Sequence, residues 1–540
     1  MILRRLYLYL VSAAGLALLA AGLALLGDTV VLFVFNDPSA QYSRGELAGF
    51  SAMALVALPV WGVHFFFARR FAMRDPSERA SAIRRAYLYA ACLAGSLVAL
   101  VVATTTISGL LHPLLDRAAF SSVPTFQAAW TLAVAGAVWW SHSGIAARDR
   151  AAAGETGASS TLRRWYMYTA ALVGLLTLLA GASQLLNLAW IKLVTGSLQN
   201  WQSMSDAAGE GVAGALLWAL TWRSIGRHHL EEDRHSTLRA LQGFIAVGVG
   251  IATALFGGSQ ILYYVLARAL GVNNPGGVGN NLAAGLAGPV SLVAVYGVAW
   301  LLVGRRLARD ARSLESDRQA GIRRLYTNLA ALVALAAGAI GAGGLLWNLA
   351  EQVEARAIGV GANDWRDPVS LWATLLGVGT AVWLAHWRPA PPAQERQSLS
   401  RRLYVWAALL ASVLAVLGGG VGMLTALLRQ VFSTSPKLAD TANLDFGHYL
   451  AVIAVAAGVG VYHWRVLRAD AAARPAKPAE ERAHAPIAAG AGAPAAVNGS
   501  RRYTLVVSGA TEDELTRALA TLPPEASYKL RHEPPTDERL

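Results

Sequence analysis

Arg84-Arg85-Ala86-Tyr87-Leu88-Tyr89 opens an apolar run that continues to residue 102, and this opening recurs along the chain. It stands at Arg4-Arg5-Leu6-Tyr7-Leu8-Tyr9, Arg163-Arg164-Trp165-Tyr166-Met167-Tyr168, Arg323-Arg324-Leu325-Tyr326 and Arg401-Arg402-Leu403-Tyr404. A worn copy, Arg239-Ala240-Leu241-Gln242-Gly243-Phe244, lacks the second arginine and the first aromatic. Successive copies are 76 to 84 residues apart. A fixed period of this kind marks one structural unit repeated, here six times.

Each opening leads into a run long enough for a hydrocarbon layer of about 30 Å; residues 6–26, 165–188 and 403–428 are examples. A mixed loop and a second apolar run follow in every copy: residues 50–67, 129–146, 212–222, 289–303, 371–387 and 449–462. Two runs per copy predict an all-α polytopic membrane protein with twelve transmembrane helices in six hairpins. The composition agrees: 55% of residues are hydrophobic and 15% charged, where a soluble domain carries about a quarter charged. The first run, with Arg4 and Arg5 before it, has the outline of an export signal. Its recurrence at internal sites makes it a retained helix.

Charge sets the expected orientation. The five loops joining one copy to the next hold 25 Lys and Arg, and the six loops inside the hairpins hold 8. The basic excess belongs in the cytoplasm, which puts both termini there. The same basic rim suits anionic lipid headgroups. A net charge of +13 raises a nucleic-acid reading, but these arginines flank helices and do not form one basic module, so no nucleic-acid partner is expected.

The repeats divide the chain at 1–80, 81–159, 160–235, 236–319, 320–397 and 398–470. Repeat 4 is divergent and carries the Gly/Asn-rich stretch 273–281, which reads as an irregular turn. An Ala/Pro-rich linker, 471–500, precedes a tail, 501–540, patterned as a small cytoplasmic β-α-β unit: strands at 503–507 and 528–531, and a helix opened by Thr511 with Glu514 in the capping position. A unit this short buries little apolar surface, so it is expected to dock on the membrane part, on a copy of itself or on a protein partner.

Two sets of positions repeat within the helices. Eighteen residues after the first arginine lies Gly22, Gly181, Gly257, Gly341 or Gly419, with Val102 in repeat 2. Small residues let helix backbones approach in lipid, so these are read as helix-packing residues. The second runs share Trp-x-x-His: Trp61 and His64, Trp139 and His142, Trp383 and His386; repeat 6 keeps His463 after Gly460. Repeats 3 and 4 have Thr221 and Ala299 there. Spacing of three puts Trp and His on one helix face, at the depth of the Arg-Tyr openings. An interfacial belt of Arg4, Arg5, Tyr7, Tyr87, Tyr166, Tyr326 and Tyr404 with these tryptophans is the leading reading. Ligation of haem by His64, His142, His386 and His463, and a headgroup or quinone pocket, are the alternatives. No cofactor and no metal site are predicted outright.

No catalytic motif stands in the chain: there is no Walker loop, nucleophile elbow, His-Glu-x-x-His or Cys-x-x-Cys-His. The single cysteine, Cys92, falls inside a predicted helix and reads as a small packing residue. His228, His229 and His235 beside Glu231, Glu232 and Asp233 read as a solvated charged loop. No Asp or Glu falls at mid-depth in a predicted helix, apart from residues near the outer ends such as Asp28. Coupled transporters usually need such a group. Polar residues toward the outer side, among them Gln184, Asn187, Gln260 and Asn348, are read as interhelical hydrogen-bonding groups, with a substrate path as the alternative.

The Arg-Arg-Leu-Tyr-x-Tyr opening, the Gly-rich first helix and the Trp-x-x-His second helix resemble an uncharacterised bacterial membrane-domain family of unknown function that often occurs in tandem copies. The resemblance covers residues 1–470 and implies repeated helical hairpins in a bacterial cytoplasmic membrane. It brings no activity. Three functional readings follow from the residues: a non-enzymatic membrane scaffold or interaction protein, which leads; a carrier for a small or apolar solute; and a haem- or quinone-binding redox protein.

Overall fold

The computed structural model describes residues 2–154, 157–198, 203–228, 236–277, 281–312, 317–359, 364–389, 391–432 and 436–473. Twelve long helices occupy them. They are α1 (Ile2–Val34), α2 (Arg44–Arg74), α3 (Ala82–Leu115), α4 (Ser122–Ala153), α5 (Ala158–Thr195) and α6 (Met204–His228). Then come α7 (Thr237–Ala269), α8 (Ala287–Arg312), α9 (Asp317–Ile358), α10 (Arg366–His386), α11 (Leu399–Phe432) and α12 (Pro436–Ala472). Consecutive pairs form six antiparallel hairpins. The chain separates into two units at residue 474. The second, with the predicted β-α-β tail and most of the linker, lies outside the described residues, as do residues 229–235.

Ten of the helices are long and apolar enough to cross a membrane. The sequence reading expects twelve crossings. The two others, α4 and α6, form where expected and pair fully with α3 and α5. Trp, Ser and His in α4, and Asp206 and Glu210 in α6, lower their apolar character. In hairpin 3 the second helix begins at Met204, eight residues before the apolar run. Glu210 therefore lies inside the helix, six residues from its outer end, as Asp28 does in α1. Glu210 neighbours Tyr296 of α8.

Close packing within each hairpin follows from the repeated glycines. A Cβ on Gly22 would stand 3.0 Å from the Ala54 nitrogen, one on Gly257 would stand 2.7 Å from the Pro289 carbonyl, and one on Gly419 would stand 2.8 Å from the Ile453 side chain. On Gly181 and Gly341 it would overlap the backbone of Gly211 and Leu376. A second small position, eleven residues after the first arginine, escapes the sequence reading. Gly15, Gly95, Gly174 and Gly250 there face the residues around Trp61, Trp139, Trp218 and Trp300. Seven residues separate the two positions, two turns on one helix face. Hairpin 2 has Val102 at the later position but keeps Gly95 at the earlier one. In hairpins 5 and 6 the small residue moves to the partner helix, as Gly379 and Gly460.

One rule joins the hairpins. The first helix of each packs on the second helix of the next: α1 on α4, α3 on α6, α5 on α8, α7 on α10 and α9 on α12. The array is head-to-tail, as parallel repeats require. Cys92 is fully buried among the aromatic side chains where hairpins 1 to 3 meet.

Candidate functional site

The repeated aromatic and basic residues meet at the arginine end of the helices. In hairpin 2 the indole N–H of Trp61 donates to the Tyr87 hydroxyl at 3.2 Å, and Tyr87 lies 3.1 Å from His142 Nε2. His142 Nδ1 lies 2.8 Å from the Val138 carbonyl. A carbonyl only accepts, so Nδ1 carries the proton. Nε2 of the neutral ring is then the acceptor, and the Tyr87 hydroxyl donates to it. Each group thus has a partner: tryptophan of one hairpin to tyrosine of the next, tyrosine to its own histidine, histidine to its own backbone.

The relay recurs. Trp383 donates to Tyr404 at 2.9 Å, Tyr404 lies 3.0 Å from His463 Nε2, and His463 Nδ1 reaches the Val459 carbonyl at 2.8 Å. Trp139 donates to Tyr166 at 2.8 Å; in that hairpin Thr221 replaces histidine and turns its hydroxyl to the Leu217 carbonyl. Tyr7 meets His64 at 3.2 Å on an exposed face. His386 bonds the Val382 carbonyl and sets its ring 6.2 Å from that of Tyr326. In the worn repeat, Gln242 takes the tyrosine's place and is buried.

Arginines brace the same end. Arg84 Nε donates to Asp149 at 2.7 Å and its Nη1 to the Tyr9 hydroxyl at 3.0 Å, with arginine and aspartate both buried. Arg401 repeats this with Asp470 at 2.7 Å, and its guanidinium also reaches the Arg388 and Pro389 carbonyls of hairpin 5. Asp149 and Asp470 each lie seven residues after the repeat histidine, on the same face. That spacing is the signal that finds them. Hairpin 1 has Phe71 at this position, under the Arg4 guanidinium, and takes its carboxylate from Glu78, which binds Arg4 and Arg5 at 2.6 and 2.8 Å. Asp75-Pro76 positions Glu78 by starting a one-turn helix: Asp75 accepts from the Ser77 N–H at 2.8 Å.

The opposite end is latched at every junction. Thr131 donates to Asp28, Trp190 to the Ala283 carbonyl, Tyr263 to Asp367 at 2.6 Å, and the Gly447 N–H to Glu354 at 2.8 Å. Between hairpins 2 and 3, Asp116 accepts from the Met204 and Ser205 N–H groups and the Ser203 and Ser205 hydroxyls, capping α6 from the end of α3. Burial raises the Asp116 carboxyl, and these hydrogen bonds outweigh it, holding the group below its ordinary value. A depressed carboxylate stabilises the fold above its unfolded pKa and loses that stabilisation as pH falls through the folded value. Acidification below about pH 4 should therefore destabilise the wild type more than Asp116→Asn. Thermal unfolding across pH 3 to 6 checks this.

Tyr87→Phe removes the acceptor of the Trp61 N–H and the donor to His142. A cost of about 1–3 kcal/mol is expected for groups left buried without partners. Tyr7→Phe, on the exposed face, should cost less than about 1 kcal/mol. Melting of the two variants in detergent compares them.

The four polar residues read as a possible path stay apart from the large grooves: none of Gln184, Asn187, Gln260 and Asn348 lines them. Among the described residues, no group of three or more His, Cys, Asp or Glu stands where it would hold a metal ion.

No curated protein and no solved structure matches the chain. Residues 5–131, 191–288 and 324–447 match one family. The first and third stretches begin at equivalent arginines, Arg5 and Arg324, and each runs through a hairpin into the second helix of the next. With its repeat motif, hairpin pairing and matched stretches in accord, the chain belongs to the family described as Domain of unknown function (DUF5671).

Proposed function

We propose that this protein is a non-enzymatic membrane scaffold: a preset row of hairpins crossing the bilayer twelve times, with residues 501–540 as a cytoplasmic β-α-β contact for a protein partner or a second copy. One observation carries the reading. The polar groups that recur through the repeats bond one another across hairpin junctions, in the relay at one end and the latches at the other. The basic excess supports cytoplasmic termini and contact with anionic lipid, and a bacterial inner membrane is the setting proposed. Full crossing by α4 is supported by its contacts along its partner helix, His142 meeting Tyr87 at one end of α3 and Thr125 meeting Gly109 at the other, and that of α6 by Gly211 against Gly181 and Trp218 against Gly174.

A carrier reading has Glu210 in its favour, as an acidic side chain within the bundle. Haem ligation through His64, His142 or His463 would first have to break the contact that each Nε2 makes with tyrosine.

Proteoliposomes and an absorption spectrum separate the three. The scaffold reading expects vesicles no more permeable to small solutes than empty ones, and no Soret band. Solute flux abolished by Glu210→Gln would replace it with the carrier. A Soret band lost when His64, His142, His386 and His463 become Ala would replace it with the redox protein.

A further inference from the structure

Two intramembrane grooves are built from the same repeat positions. One, about 740 Å³, lies between α1 and the α3/α4 hairpin; the other, about 580 Å³, lies between α9 and the α11/α12 hairpin. Thirteen and sixteen residues after the first arginine, the first groove has Ala17 and Ala20 and the second has Ala336 and Ala339. Seven residues before the repeat histidine, they have Ala135 and Ala456. The central pair of hairpins has Leu176, Leu179 and Leu292 at these three positions. There Leu179 is buried in one cluster with Ala246 and Val295, which are the counterparts of groove-lining Ala91 and Val138. Alkyl side chains of the protein thus occupy the centre of the array, and alanines keep the same space open on both flanks.

We propose that each flanking groove holds an acyl chain of a membrane phospholipid. The first groove runs along α1 and α3, and the second along α9, α11 and α12, all apolar enough to cross a bilayer. From Tyr9 to Ala24 the first spans about 22 Å at 1.5 Å per residue, most of a hydrocarbon core of about 30 Å. Most of the polar lining groups are already bonded within the protein. The Tyr9 hydroxyl accepts from Arg84, that of Tyr87 is held by Trp61 and His142, Thr131 is bonded to Asp28, and Ser412 to the Ala408 carbonyl. Such a lining selects an unfunctionalised hydrocarbon chain. The mouth of the first groove, at Leu6 and Ile83, opens on the side that carries the Lys/Arg excess, which complements a phosphate headgroup. That complement favours a phospholipid over a neutral isoprenoid as the source of the chain.

The test counts retained lipid by native mass spectrometry, after reconstitution into phosphatidylglycerol vesicles and extraction in mild detergent. Wild-type protein should keep two phospholipids. Ala17→Leu with Ala20→Leu should keep one, and adding Ala336→Leu with Ala339→Leu should leave none. The reverse change, Leu176→Ala with Leu179→Ala, should open the central space and raise the count to three; it decides the matter if the filled variants do not fold. Wild-type protein without bound phospholipid, counts that do not respond to these substitutions, or a retained molecule lacking phosphorus would overturn the proposal.

Discussion

Leucine in place of Gly181 is expected to unseat hairpin 3. Helix α5 approaches α6 so closely that a Cβ at this position would overlap the backbone of Gly211, and Ala207 and Gly211 line the same contact. Flexible side chains yield to an added methyl, but helix backbone does not. The helices must separate, and the separation is felt along α6, because Gly174 meets Trp218 two turns away and Gly214 meets Leu178. Overpacking of a well-packed contact costs about 1–3 kcal/mol and occasionally more; with backbone as the obstacle, the upper end or beyond is expected. Gly62→Leu is the control, since nothing lies within 4 Å of a Cβ there. Thermal unfolding in detergent should show a large loss for Gly181→Leu and little change for Gly62→Leu. Equal melting of the two would mean that the helix approach does not limit stability.

The second large effect is expected at Asp149. Arg84 is 2% exposed and Asp149 5%, so neutralising the carboxylate strands a guanidinium away from water. Breaking a buried pair by removing one partner typically costs about 3–5 kcal/mol, whereas replacing both by apolar groups of similar size is often neutral. Asp149→Asn should therefore destabilise strongly, and Arg84→Met with Asp149→Leu should recover most of the loss. Arg84 also donates to Tyr9 of the preceding hairpin, so recovery short of wild type measures that cross-junction bond. The double substitution melting as low as the single one would show that the arginine matters for its hydrogen bond more than for its buried charge.

The repeat, the hairpins and their common direction were legible because each rests on local chemistry. Apolar length, Arg placement and a period near 80 residues can be read without knowing what touches what. The glycine eighteen residues after the first arginine was legible in five of the six repeats for the same reason: a small residue recurring on one face has few roles in lipid. Glu78 and Asp116 were not legible, because a carboxylate in a loop acquires a partner only when a helix 70 or more residues away arrives beside it. Asp149 and Asp470 sat in between: their spacing from histidine repeats, but in two hairpins only. The start of α6 was not legible, because the helix begins before its apolar run does; packing against α3 and α5, not hydropathy, sustains its first turns.

The sequence by itself determined the unit and the number of its copies, since membrane length and the basic bias act on each helix separately. Tertiary structure alone decided how the units join. The packing of each first helix on the second helix of the next hairpin depends on which side of a hairpin offers small residues and a free tyrosine hydroxyl, a property of two helices together. Tertiary structure also shows what stands where a bridging tryptophan is missing. In hairpin 6 the position of the bridging tryptophan is Gly460, which lies against Ser412.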